Sequence, residues 1–244
     1  MSEVRIPVLE YHLVLPDDVV AGSPDLTTNP YTVPVSDFQR QLQTIAEHGC
    51  TPIDTSQLFR FITGRSEPPS NPVCITFDDG YEAVYRHAYP LLAARDFRFT
   101  IFIIASHLGH DPTLHYQPTE LTYVSWSQLQ EMVDSRLCEV QNHTWNLHDD
   151  GQGNSGLVAA DTDTAWQDLL RARRAIEDNL GTACNALAYP HGEYSDSVQW
   201  LLAYSGHRLA FTGANYAPIT GAEDFLALPR YLVQCDTDLS FLTP

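Results

Sequence analysis

Residues 73–80 of this 244-residue chain read VCITFDDG. The first five are uncharged and rich in apolar and β-branched side chains, which is typical of a strand buried on both faces of a parallel sheet. Asp78 and Asp79 follow at the carboxyl end of this strand, where α/β folds gather their ligands. Gly80 permits a sharp bend, so both carboxylates can face one cavity, one to bind a metal and the other to take a proton. A plain turn or a helix cap also accounts for these residues.

Six further short apolar runs resemble the first, and helical patterns lie between several of them. This alternation predicts an α/β fold, and about seven parallel strands joined by right-handed crossovers fit a closed barrel better than an open sheet. No long linker interrupts the alternation, so we expect one domain over residues 1–244. The further candidate strands are residues 6–11, 99–105, 137–141, 186–189, 208–212 and 231–235.

Helix boundaries are indicated at several points of the chain. Ser36 and Ser125 each begin a capping-box pattern before an apolar helical stretch. A third helix is predicted over residues 166–180, and Gly181 is its natural stop. Residues 149–164 are polar and lack any period, so we expect a long surface loop there.

The second informative stretch, residues 143–148, reads HTWNLH. The two histidines are five residues apart, so their side chains would point in different directions on a helix and to opposite faces on a strand. They can meet only on a loop or where a strand breaks into a turn. The strand-like run 137–141 before His143 repeats the strand-end position of Asp79. Two imidazoles and one carboxylate can hold a divalent metal and leave positions open for water and substrate, as in catalytic sites. One surface histidine and one capping histidine are the alternative.

The charge of the chain excludes several classes of partner. Its 13 basic residues are all arginine, and its 31 acidic residues leave a formal net charge of -18. A field of that sign repels nucleic acid and anionic lipid. No run approaches the roughly 18 apolar residues of a membrane span. The first residues, MSEVRIP, contain no secretory signal, so we expect a cytosolic protein or one whose export signal lies outside this sequence.

Together these motifs resemble the polysaccharide deacetylases, also called the NodB-homology or carbohydrate esterase family 4 enzymes. The likeness extends from VLEYH at residues 8–12, through the two stretches above, to YPHG at 189–192 and LPR at 228–230. It implies a distorted (β/α) barrel of about seven parallel strands that removes N-acetyl or O-acetyl groups from carbohydrate. The spacing of the histidine pair, one residue longer than is common in the family, resembles the branch that deacetylates β-1,6-linked poly-N-acetylglucosamine.

The resemblance also implies roles for individual residues. It makes Asp78 the general base, and Asp79, His143 and His148 the metal ligands. The expected ion is zinc, and iron, cobalt or nickel suit the same ligands. His12 is expected to protonate the leaving amine, because the Leu-x-His that supplies this acid in many relatives is missing. The expected partner is an acetylated carbohydrate.

Further residues are expected to act on the substrate. The backbone N–H of His191 would point at the developing oxyanion, and Tyr189, Trp145 and Arg230 are expected to contact the sugar. Many relatives carry an arginine that pairs with the base where this chain has Ala188. Arg230 is the candidate to supply that missing positive charge.

Other interpretations stay open. Some relatives hydrolyse amide or ureide bonds in small cyclic molecules, and the missing arginine and C-terminal histidine are also compatible with a catalytically silent carbohydrate-binding protein. His12 as a core histidine bonded to a carbonyl, and residues 189–192 as a plain turn, are the structural alternatives. Five histidines without motif context are expected to lie on the surface or in packing positions: His87, His107, His110, His115 and His207.

Overall fold

Parallel strands dominate the computed structural model, which describes residues 5–109 and 121–242. Each candidate strand from the sequence overlaps one of them, and three short strands add to the set. In the described part of the chain the strands are β1 (Val8–Tyr11), β2 (Leu13–Leu15), β3 (Thr32–Pro34), β4 (Thr51–Ile53), β5 (Pro72–Phe77), β6 (Phe99–Ile103), β7 (Cys138–Asn142), β8 (Ala186–Ala188), β9 (Leu209–Ala214) and β10 (Leu228–Leu232).

Seven of these strands close into a barrel. They follow one another in the order β1, β5, β6, β7, β8, β9, β10 and back to β1, all in parallel pairs. The ring closes because Leu9 of β1 pairs with Ile75 of β5 on one edge and with Tyr231 of β10 on the other. It is uneven, since the described pairing of β7 with β8 consists of Asn142 and Leu187 alone. The predicted α/β fold and distorted seven-stranded barrel are confirmed.

Helices flank the barrel and follow most of its strands. They are α1 (Asp17–Ala21), α2 (Pro24–Thr28), α3 (Val35–Glu47), α4 (Thr55–Ile62), α5 (Tyr89–Ala93), α6 (Trp126–Asp134), α7 (Gly156–Ala159), α8 (Thr162–Leu180) and α9 (Asp196–Ser205), with a π-helical turn at Val84–Ala88. The capping box at Ser125 is confirmed for α6. Gly181 ends α8 in the left-handed conformation, with a φ of 65°, as predicted. None of the described helices is long and apolar enough to cross a membrane.

Two apolar layers lie on the two sides of the barrel wall, because successive side chains of a strand point to opposite faces. On β5, Cys74 packs in an inner cluster with Phe102 and Phe211. Ile75 and Phe77 belong to an outer cluster that also takes in residues of α3, α6 and α8. Both faces of this strand are therefore buried, as its composition predicted.

The polar segment 149–164 is not one long loop. The side chains of Ser155 and Asp161 accept hydrogen bonds from the backbone N–H groups of Val158 and Thr164. These two caps start α7 and α8 inside the segment, since a capping oxygen satisfies an N–H group that has no partner within the helix. The long helix α8 consequently begins earlier than predicted.

Two further boundaries differ from the predictions. No side chain caps α3, which begins at Val35, and the Ser36 hydroxyl instead bonds to Asp17. The last barrel strand spans Leu228–Leu232 rather than residues 231–235. The start of this strand was not predicted because the strand contains a proline and Arg230. A buried arginine is tolerated only where partners balance its charge.

Candidate active site

The carboxyl ends of the barrel strands bring most of the predicted site residues to one cavity of about 250 Å³. The strand ends supply chemically different groups, which are His12 after β1, Asp78 and Asp79 after β5, His143 after β7 and His191 after β8. Parallel strands all end on the same side of a barrel, so residues far apart in the sequence meet there.

The end of β5 turns sharply at Asp79. Asp79 and Gly80 both adopt the left-handed conformation, with φ values of 71° and 83°. A Cβ on Gly80 would lie 3.0 Å from the Ile103 side chain, so the turn depends on glycine for space as well as for conformation. The bend allows the neighbouring carboxylates of Asp78 and Asp79 to line the same cavity.

Three predicted metal ligands converge. The Nε2 atoms of His143 and His148 lie 3.4 Å and 3.3 Å from Oδ1 of Asp79. Nδ1 of His143 donates to the Ala188 carbonyl at 2.8 Å, which directs Nε2 toward the carboxylate, as second-sphere hydrogen bonds do for metal-binding histidines. Asp79 Oδ1 is buried and accepts no well-aligned hydrogen bond from the described residues.

This donor set fits a divalent cation. Two imidazole nitrogens and one carboxylate oxygen lie within 4.8 Å of one another, so a positive charge between them would be stabilised by all three. A proton can supply it: burial opposes protonation of His143, but Asp79 and Asp78 outweigh burial and raise its pKa. A cation can displace that proton, as happens when metals bind to histidine. Two nitrogens and one oxygen suit zinc and the neighbouring transition metals.

The loop between the two histidines is held by buried polar side chains. Thr144 has a φ of 85°, and its N–H donates to Oδ1 of Asn142 at 2.7 Å. The Asp168 carboxylate, on α8, accepts hydrogen bonds from the backbone N–H groups of Trp145 and Asn146, both at 2.8 Å. This loop therefore replaces the regular structure that would keep the histidines apart.

The Asp78 carboxylate is held by Arg230. Nη1 and Nη2 of the guanidinium donate to Oδ1 and Oδ2 at 2.8 Å and 2.7 Å. Burial raises the pKa of Asp78, but the charge and hydrogen bonds of Arg230 outweigh burial and hold the pKa below its ordinary value. The guanidinium thus supplies the charge that is missing at Ala188. Its side chain is 1% exposed, so a direct contact with a sugar does not fit its position.

His12 lies at the cavity wall beside a second carboxylate. Its Nε2 atom is 3.9 Å from Oε1 of Glu10, and its ring packs on Tyr31 with ring centroids 4.5 Å apart. Nδ1 is buried without a hydrogen-bond partner in the described part of the chain. The side chain is therefore not a core histidine satisfied by a carbonyl among those residues.

The YPHG stretch forms a tight turn against the next strand. His191 has a φ of 56°, and its ring packs on His148 with centroids 4.9 Å apart. A Cβ on Gly192 would lie 2.3 Å from the Gly213 nitrogen, so only glycine fits there. The hydroxyl of Tyr189 donates to the Leu226 carbonyl at 2.8 Å, which directs this side chain into the core although the residue also lines the cavity.

Two residues expected to contact the sugar, Trp145 and Arg230, lie away from the described cavity lining, and two acids near the site were not predicted. Trp145 is not among the described residues that line the cavity. The guanidinium of Arg171 lies over its ring, with Cζ 3.9 Å from the ring centroid. Glu10 and Asp168 were missed. Each is an acid on an apolar stripe, a signal that was available in the sequence. Of the histidines without a motif, His207 is buried, whereas His110 and His115 lie outside the described residues.

Comparisons with known proteins show which family this chain resembles. The family model for "Polysaccharide deacetylase" matches residues 65–210. The poly-beta-1,6-N-acetyl-D-glucosamine N-deacetylase of Staphylococcus aureus strain MSSA476 is 28% identical over 207 residues, which are 84% of this chain and 69% of that protein.

Solved structures show the same barrel. IcaB from Ammonifex degensii is 29% identical, with a TM-score of 0.79 over 94% of this chain and 92% of that chain. A de-N-acetylase from Aggregatibacter actinomycetemcomitans, 23% identical, has a TM-score of 0.83 over 98% of each chain, which supports the fold. The family match covers more than half of the chain and includes the acid pair and the histidine pair, so this protein is a hydrolase that belongs to the polysaccharide deacetylase family.

Proposed function

We propose that this protein removes N-acetyl groups from a polysaccharide of N-acetylglucosamine, with β-1,6-linked chains as the preferred substrate. The observation that carries the proposal is the convergence of Asp79, His143 and His148 beside Asp78 at the cavity. The name of a relative supports the substrate, since the Staphylococcus aureus protein is a poly-beta-1,6-N-acetyl-D-glucosamine N-deacetylase.

Asp79, His143 and His148 would hold the metal, with zinc as the first choice and iron, cobalt or nickel as alternatives. When bound there, a divalent cation polarises the acetyl carbonyl and lowers the pKa of the attacking water. This chain's own residues then have to manage two proton transfers and one developing negative charge.

Asp78 takes a proton from the attacking water as the water oxygen forms a bond to the acetyl carbon. Arg230 keeps that carboxylate ionised and fixes the direction of both oxygens. The backbone N–H at His191 is proposed to stabilise the oxyanion that develops on the carbonyl oxygen. His12 gives a proton to the nitrogen as the carbon–nitrogen bond breaks, so that acetate and a free amine leave.

Acetate release tests this function. Metal-stripped protein would be reconstituted with zinc, cobalt, nickel or iron and assayed on poly-N-acetylglucosamine, chitin oligomers, acetylxylan and peptidoglycan. We expect the fastest release from β-1,6-linked poly-N-acetylglucosamine. Release from none of the four with any metal would contradict the proposal, and turnover of cyclic amides or ureides alone would favour the small-molecule alternative.

The role of Asp78 is tested in the same assay. Asp78→Asn should lower acetate release by about 10²–10⁴-fold, the usual contribution of a general base, while metal content stays the same. Asp163→Asn, on the exposed start of α8, is the matched control and should release acetate at the wild-type rate. Full activity of Asp78→Asn would show that another group accepts the proton.

A further inference from the structure

A second groove adjoins the catalytic cavity, and the mechanism above does not use it. Its volume is about 380 Å³. Three residues, Leu13, Asn29 and Tyr81, line both the groove and the cavity. Ligand sites usually have volumes of about 300–1,000 Å³, so the groove is large enough to hold a ligand group of its own. A polymer with one sugar unit in the cavity has space for the next unit in the groove.

A segment outside the barrel forms most of this groove. Its strands, β2 and β3, make a separate two-stranded sheet, and α1 and α2 lie between them along the chain. Leu13 and Leu26 of this segment pack in one apolar cluster with Leu121. All three are buried and line the groove. The groove therefore has a packed apolar wall, as small-molecule sites usually do.

Polar side chains of the same segment also line the groove. They are Asp25, Thr28 and Asn29. Asp25 is exposed, and it is the one charged residue among the described residues of this lining. An apolar wall with a few polar groups suits a sugar unit, and the carboxylate adds attraction for a unit that carries a positive charge.

Deacetylation itself produces such a unit. Each turnover converts a neutral N-acetyl group into an amine, and amines are positively charged at neutral pH. A polymer substrate therefore contains both kinds of unit after the first turnover. The net charge of -18 acts on the polymer as a whole, whereas a carboxylate in the groove acts on the unit next to the reacting one, because salt screens longer distances.

We propose that the groove binds the sugar unit next to the one being deacetylated, and that Asp25 makes a unit with a free amine the preferred neighbour. The inference rests on the proposed deacetylation. Asp25 determines specificity and takes no part in bond making, since its carboxylate pairs with the neighbour's ammonium group. Deacetylation then proceeds fastest beside units that have already reacted, which produces blocks of free amines along the polymer.

The test uses a β-1,6-linked pentasaccharide with a free amine on its central unit and N-acetyl groups on the other four. Mass spectrometry of the product that has lost one acetyl group gives the ratio of loss beside the amine to loss at the two ends. General attraction to the acidic protein cancels from this ratio, because both kinds of unit belong to one molecule. The fully acetylated pentasaccharide gives the reference ratio without the charge.

Asp25→Asn should lower the ratio for the amine-containing substrate by about two- to fivefold, the effect of one exposed ion pair. The ratio for the fully acetylated substrate should stay the same. Asp163→Asn removes an acid from the first turn of another helix, as Asp25→Asn does in α2. It is the matched control and should keep both wild-type ratios.

Charge reversal and salt sharpen the test. Asp25→Arg should lower the ratio below that of Asp25→Asn, because a guanidinium repels the ammonium group. About 1 M salt should lower the wild-type ratio to that of Asp25→Asn and leave the variant's ratio unchanged. The salt measurement on the wild type needs no variant to fold.

The proposal is overturned if Asp25→Asn keeps the wild-type ratio, if it slows loss from all units equally, or if Asp163→Asn lowers the ratio as much. A wild-type protein that releases no acetate from the pentasaccharides or from any polymer would instead contradict the proposed function, so the two failures are distinguishable.

Discussion

Arg230 shows how a single buried side chain organises the catalytic end of the barrel. Its guanidinium holds both oxygens of Asp78, lies beside Glu10, and donates through Nε to the Thr212 carbonyl at 3.1 Å. Desolvation opposes its charge, yet the two carboxylates outweigh desolvation and raise the pKa of Arg230. Arginine suits this position because its planar fork matches a carboxylate, which lysine cannot do.

Arg230→Met is expected to lower the free energy of unfolding by about 3–5 kcal/mol, because it leaves two buried carboxylates without a cation. Adding Glu10→Gln should recover at least about 1 kcal/mol by removing one of those charges. Urea denaturation at pH 7 measures both values. A loss below about 1 kcal/mol would indicate that water already screens the cluster.

At the scale of elements, the loop that follows β7 depends on α8. The Asp168 carboxylate is buried and accepts the N–H groups of Trp145 and Asn146. Behind the loop, Asn142 bonds to the ring of His207 at 3.2 Å. A helix and a strand end thus jointly fix the loop that carries His148, much as outer hydrogen bonds orient ligands in other metal sites.

Asp168→Asn should weaken zinc binding by about 10–100-fold. The asparagine NH₂ would face one of the two backbone N–H groups that now donate to the carboxylate, and two donors cannot form a hydrogen bond with each other. Competition with a chromophoric chelator measures the affinity without relying on activity. Asp163→Asn on the same helix is the control and should bind zinc like the wild type. Equal affinities for all three proteins would mean that the loop keeps its shape without Asp168.

At the scale of the molecule, folding buries a histidine in its neutral form. The Asn142 amide, whose oxygen accepts from Thr144, presents its NH₂ group to Nε2 of His207. Nδ1 of His207 bonds to Ser205 at 2.7 Å. Burial, aided by the charge of Arg173, lowers the pKa of His207 from 6.5 to about 3. Protonation would break the bond from Asn142.

This lowered pKa makes the fold sensitive to acid. Above pH 6.5 the His207 ring is neutral in both the folded and the unfolded protein, so its titration does not change the free energy of unfolding. Below pH 6.5 the unfolded chain binds a proton before the folded protein does, so the free energy of unfolding falls until about pH 3. We expect the stability of the wild type, relative to that of His207→Gln, to fall by about 1.4 kcal/mol per pH unit from pH 6 to pH 4. Urea denaturation across this range tests it, and a constant difference would argue against the lowered pKa.

Much of the barrel was predictable because its strands are buried on both faces and read as continuous apolar runs. The strand before Asp78 and the capping box at Ser125 are cases in which local composition agrees with the final fold. Prediction was poorer where a charge lies inside the barrel, as in the last strand with Arg230. It was also poorer in segment 149–164, where capping side chains start helices within a polar stretch.

The sequence by itself determined the barrel class and the residue types available for chemistry, since strand composition and short motifs are local properties. Tertiary structure alone decided which charges meet. The contacts of Arg230 with Asp78 and with Glu10 join residues of three different strands or strand ends. Such distances follow from barrel closure, and the pKa values follow from burial, so neither can be read from residues in order along the chain.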